Sequence, residues 1–189
     1  MRYGLTILVI AFLVIVGAAA LIGRGNSGPA RSTARITKLT DYDAKDSASV
    51  SWTQQGRLVG EDQRRAIRVT VTRSKRTVEV LAGYPERAER STEFTNSPDA
   101  FAAFVRGLDT ANFGKERAVK QPDERGVCPL GSRFIYRLTD AGQEIMRTWS
   151  DSCATSDGPF GGGNTTQLIG QLFKAQITDY NKFISGVVL

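Results

Sequence analysis

At 189 residues, 41% hydrophobic and 23% charged, the chain is long enough to bury a core and too apolar to be a disordered polymer. Its formal charge of +6, from 25 Lys and Arg against 19 Asp and Glu, is too small and too dispersed for a nucleic-acid binder; without Arg2 and Arg24 the balance is 23 against 19, a mild +4 that suits lipid headgroups or a cell-wall polymer. There is no histidine, which excludes Ser–His and Cys–His nucleophile pairs and the common zinc sites.

Residues 1–4 are a short tail. Leu5 to Ile22 then reads LTILVIAFLVIVGAAALI, uncharged, with Thr6 as its only polar residue. It is apolar on every side, so it has no face to leave in water, and it predicts a transmembrane anchor over 5–23 in contact with lipid through residues 5–22. Ala18-Ala19-Ala20 offers the alternative of a cleaved signal peptide, although Leu21 and Ile22 continue the apolar run beyond it. No cysteine follows closely enough for lipidation. Arg24, Arg31, Arg35 and Lys38 outnumber Arg2 across the segment, which favours a cytoplasmic C-terminal side. The cysteine usage below favours the opposite side. Residues 24–34, including Asn26 to Thr33, form a flexible linker to a single domain over 35–189.

Strands are expected at Arg35 to Thr40 and at Ser49 to Thr53. A hairpin follows, with Ala66 to Arg73 against Arg76 to Ala82. Pairing Arg73 with Arg76 sets Val71 against Val78, Val69 against Val80 and Ile67 against Ala82, all on one face. Ser97-Pro98-Asp99 carries an N-cap, a first-turn proline and a first-turn acid. Phe101, Phe104, Val105 and Leu108 continue at helical spacing, so a helix is expected over about 98–110. Lys115 to Gly126 reads as a charged loop.

The most specific pattern lies between the two cysteines. Phe134 to Thr139 and Glu144 to Trp149 are β-rich, with turn residues between them. Pairing Thr139 with Gly142 sets Arg137 against Glu144, Ile135 against Met146 and Cys128 against Cys153. Directly opposed antiparallel positions have the separation a disulfide needs, so Cys128 and Cys153 are expected to be bonded, in an oxidising compartment. That register also puts Phe134, Tyr136, Leu138, Ile145 and Trp149 on one packing face. Gly158 to Asn164 is a glycine-rich connector without the Lys-Ser/Thr of a P-loop. A second helix is expected over about 165–176, with Leu168, Ile169, Leu172 and Phe173 inward. The apolar end, Phe183, Ile184, Val187, Val188 and Leu189, is read as packing onto the domain, with presentation to a peptide-binding partner as the alternative. Hairpins and two packed helices make an α+β fold.

Candidate chemistry is sparse. Glu61, Asp62, Asp140 and Glu144 are the carboxylates an acid/base pair would draw on, but no spacing selects two of them, and no catalytic, cofactor-binding or metal-binding residue is assigned. Arg57, Arg64, Arg65, Arg68, Arg73, Lys75 and Arg76 form the densest basic stretch. Of these Arg64, Arg65, Arg68, Lys75 and Arg76 are the candidates for contact with a polyanion or headgroup, against the plainer role of a solvated hairpin edge.

Cys128-Pro129-Leu130-Gly131, Phe134-Ile135-Tyr136, Trp149-Ser150, Cys153, Gly161-Gly162-Gly163-Asn164 and Leu172-Phe173 together resemble a family of single-anchor extracytoplasmic bacterial domains with a disulfide-stapled hairpin. The resemblance implies a compartment, the cell membrane with the domain outside the cytoplasm, and no activity. The expected function is a membrane-tethered interaction domain whose partner is an envelope protein or polymer. A carboxylate-dependent envelope hydrolase and a structural subunit of an envelope complex are the alternatives.

Overall fold

The computed structural model describes residues 38–119, 121, 123–153, 158–161 and 163–189, all within one compact unit, Thr33–Leu189. The apolar run at 5–22, the linker and residues 35–37 lie outside the described residues. Among the described residues, no helix is long and apolar enough to cross a membrane.

Among the described residues six strands form one antiparallel sheet: β1 (Ala48–Gln55), β2 (Arg65–Thr72), β3 (Lys75–Ala82), β4 (Arg87–Thr95), β5 (Arg133–Asp140) and β6 (Gln143–Asp151). Their order is β4-β3-β2-β1-β5-β6, so the earliest strand in the chain sits centrally between β2 and β5. Alternation along each strand turns Val50, Trp52, Ile67, Val69, Val71, Val78, Tyr136 and Leu138 to one buried face. Helix α1 (Pro98–Thr110) and helix α2 (Asn164–Lys174) cover that face, and a single turn, α3 (Tyr180–Phe183), follows.

Helix α1 begins where the sequence places it. Ser97 caps it by accepting from the Ala100 amide at 3.2 Å, and Pro98 occupies the first turn. Phe101, Phe104, Val105 and Leu108 are all buried, contributing roughly 2 kcal/mol of transfer free energy each. In α2 the inward residues are Thr166, Ile169, Gly170 and Phe173. Leu168 points outward, contrary to expectation, and Gly170 faces inward instead, where a Cβ would sit in ordinary contact, 3.5 Å from the Trp52 indole. Trp52 is stacked between Phe134 and Phe173.

Four local expectations change. The strand expected to end at Thr40 is instead a 3-10 turn over Leu39–Tyr42, with the Asp41 and Asp43 amides bonding back to Lys38 and Thr40, and with Leu39 inserted in the core. Strand β4 was not anticipated, since RAERSTEFT is polar on both faces. The first hairpin slips by two residues: Val69 opposes Val78 and Ile67 opposes Val80. A two-residue slip keeps every side chain on its face, so the apolar set stays inward. The second hairpin differs more. Its turn is Ala141-Gly142, both at positive φ as a type I′ turn requires, and a bulge between Leu138 and Thr139 adds one residue. Tyr136 therefore opposes Thr148, and Trp149 opposes Ile135 on the face away from the helices. Arg137 opposes Arg147; Glu144 still reaches Arg137 diagonally at 3.4 Å.

Candidate functional site at the disulfide-stapled end of the sheet

β1 and β5 run in opposite directions, so Gln55, Arg65, Ala82, Arg133 and Asp151 gather at one end of the sheet. Among the described residues, segments 56–64, 83–86, 126–132 and 152–153 meet there. Cys128 and Cys153 are bonded, with Cα atoms 5.7 Å apart. The pair forms as expected, but by another geometry. Cys128 stands outside the ladder, in left-handed backbone at φ 48°, and a turn closed by the Gly131 amide on the Cys128 carbonyl swings it across to Cys153. Gly131 is required here: a Cβ would lie 2.5 Å from the Cys128 sulfur and 2.7 Å from the Ser152 hydroxyl.

Behind the staple lies a buried ion network. Arg133 is 1% exposed and donates to the Gln55 side-chain oxygen at 3.3 Å, the Val127 carbonyl at 3.3 Å and the Gly56 carbonyl. Gln55 passes the connection on, donating to Glu86 at 2.8 Å. Arg68 donates to the other oxygen of Glu86, and Arg64 donates to the Gly83 carbonyl at 3.0 Å. Burial, and after it the nearby Arg64 guanidinium, lowers the Arg133 pKa from its ordinary value. Leucine-sized packing could not tie three loops together this way; a forked donor with five N–H groups does.

The loops held by this network present aliphatic and aromatic groups to solvent. Leu130 is 89% exposed, Tyr84 50% and Leu58 37%. They belong to different connections, which are joined to one another by hydrogen bonds. The Leu58 amide donates to the Pro129 carbonyl at 2.7 Å, and the Tyr84 hydroxyl donates to the Val59 carbonyl at 2.9 Å. Arg64 stacks on the Tyr84 ring at 4.8 Å, stiffening its position. Main-chain bonds and the Arg64 stack thus hold an apolar tip in place.

The basic candidates do not converge on one patch. Arg64 and Arg68 are drawn into the network. Arg65 pairs with Glu89 at 2.8 Å and Lys75 with Glu93 at 2.7 Å. Arg76 donates to the carbonyls of Thr95 and Gln176, and Arg73 reaches Asp46 at 3.1 Å. The carboxylates are split between ends: Glu61 and Asp62 lie in the connection beside the staple, Asp140 and Glu144 at the far turn. Hydrogen bonds from Lys45 and Ser47 hold the Asp140 carboxyl below the usual range. Asp151 lies with its oxygen and both sulfurs within 4.8 Å of one another, but each sulfur is bonded to the other and offers no thiolate to a cation. The glycine connector leads into α2 beside a shallow cleft bounded by Asn112, Lys115, Glu116 and Thr165.

No protein-family model matches the chain, and no curated protein does. The tip and the network therefore stand on their own geometry. Sequence reasoning missed both. The one available signal was Leu130, an aliphatic residue between Pro129 and Gly131, where a tight turn leaves its side chain nowhere to bury.

Proposed function

We propose that the chain is a membrane-tethered, extracytoplasmic interaction domain that binds an envelope protein or polymer through the apolar tip of Leu58, Tyr84 and Leu130. The observation carrying this is that three separate connections, fixed by a disulfide and a buried arginine, converge to expose apolar groups. Exposed apolar surface on rigid supports favours association, because little conformational entropy is lost on contact. The apolar run at 5–22 supports the tether, and the paired cysteines support an oxidising side of the membrane.

The test is photo-crosslinking in native membranes, with the crosslinker placed in turn at positions 58, 84, 130 and, as a control at the far turn, 142. We expect one common adduct from the first three and none from the fourth. Equal labelling at all four, or none at the tip, rules the reading out. In the same membranes, Cys128 and Cys153 should react with a thiol reagent only after reduction; reaction without it places the domain on the reducing side.

A further inference from the structure

Among the described residues the two edges of the sheet are treated differently. The outer edge of β6 is met at Trp149: the Phe160 amide donates to the Trp149 carbonyl at 3.2 Å, and Phe160 bridges onward to Glu116. The outer edge of β4 has no neighbouring strand and none of its nine residues is buried, although the Thr95 carbonyl at its end accepts from Arg76. Its acids are already engaged on the inner side, Glu89 with Arg65 and Glu93 with Lys75. Arg87 and Arg90 are exposed and meet no carboxylate among the described residues; Arg90 rests on the Phe183 ring at 4.9 Å. The edge therefore offers unpaired main-chain groups together with uncompensated positive charge. Phe94, on the strand itself, and Phe183, under Arg90, are half-buried apolar groups at that edge.

We propose that β4 accepts an extended acidic segment of a partner protein as a seventh strand. Strand addition would satisfy the free amides and carbonyls, and acids on the incoming segment would meet Arg87 and Arg90. The same arginines disfavour a second copy of this chain at that edge by bringing like charges together, which makes the choice of partner a matter of charge. The proposal uses a surface distinct from the loop tip and does not depend on it.

Full-length protein in nanodiscs of neutral lipid would be titrated with three labelled probes that match β4 in length: a Thr/Val peptide with Asp at alternate inward positions, its Lys counterpart, and the Asp peptide N-methylated on alternate amides. We expect the Asp peptide to bind at least about tenfold tighter than the Lys peptide. N-methylation should abolish binding, and the double substitution Arg87→Glu, Arg90→Glu should reverse the preference. Absence of binding, equal binding of both charges, or indifference to N-methylation overturns the proposal. So does a dimer in light scattering that the Asp peptide fails to dissolve, which would assign the edge to a second copy. Tip crosslinking at Leu130 reads a different surface, so either reading can fail while the other stands.

Discussion

Tyr136 shows how a single buried hydroxyl sets a pH limit. Its phenol exchanges a hydrogen bond with the Ser150 hydroxyl at 3.0 Å, and Thr166 donates to the same Ser150 oxygen at 3.3 Å. Burial pushes the Tyr136 pKa up to about 12, from about 10 in an unfolded chain. The fold favours the protonated form, so this contribution is complete below about pH 10 and is lost as pH rises through about 12. Tyr180, also buried, is raised to about 12 and adds to the same alkaline loss. Tyr136→Phe should cost about 1 kcal/mol at neutral pH, through the lost hydrogen bond. It should also flatten the fall in stability between about pH 10 and about pH 12. Denaturant midpoints measured across that window check both; an unchanged alkaline slope would mean that the Tyr136 phenol ionises without penalty.

At the scale of elements, the staple and α1 differ in how they are specified. Gly131→Ala forces a Cβ into the Cys128 sulfur, and we expect free thiols in oxidised preparations and a stability loss near that of removing the bond, about 3.5 kcal/mol. Thiol counting beside a Cys128→Ser, Cys153→Ser control measures it. A Gly131→Ala protein with no free thiol and wild-type stability would show that the turn can shift to admit the methyl. Helix α1 was legible because its signals are local: the Ser97 cap, Pro98 and four apolar residues at helical spacing. The two inward faces of the first hairpin were legible for the same reason. The register of the second hairpin was not, because it depends on which residues accept positive φ. Ala141 does, at 48°, although an alanine carries no sequence mark for it. Strand β4 was illegible in principle: no alternation in RAERSTEFT distinguishes it, and β3 alone imposes its conformation. The cysteine pairing was reached through a register that the bulge at Leu138 undoes; what survives is that both cysteines flank one hairpin.

For the whole molecule, the last residues of the C-terminal stretch are a structural part of the stapled end. Ile177 and Tyr180 are buried, Val187 and Leu189 pack partly against the core, and Val188 points to solvent. Leu189 lies on Gly56 so closely that a Cβ on Gly56 would come within 2.6 Å of the Leu189 Cα. Gly56→Ala should therefore displace residues 187–189 and loosen the Arg133 contact with the Gly56 carbonyl, costing about 2 kcal/mol. Hydrogen exchange read at 187–189 and 126–133 together tests this. Protection lost at the C-terminal residues alone would show that Arg133 holds its loops without them. The candidate site as a whole was out of reach of the sequence, because its residues come from connections about 25 to 75 positions apart, brought together only by the sheet.

The central place of β1 also governs how the domain is completed as the chain emerges. One side of β1 is matched promptly by β2, with β3 and β4 following as neighbours in sequence. The other side must wait for β5, about 80 residues later, and Trp52 lacks its stacking partners Phe134 and Phe173 in the meantime. The seam that closes last runs through the middle of the sheet, beside its largest aromatic residue. A nascent chain stalled after α1 would thus carry a four-stranded half-sheet with an open, adhesive flank, whereas in one that has released β6 that flank is closed by β5 and β6.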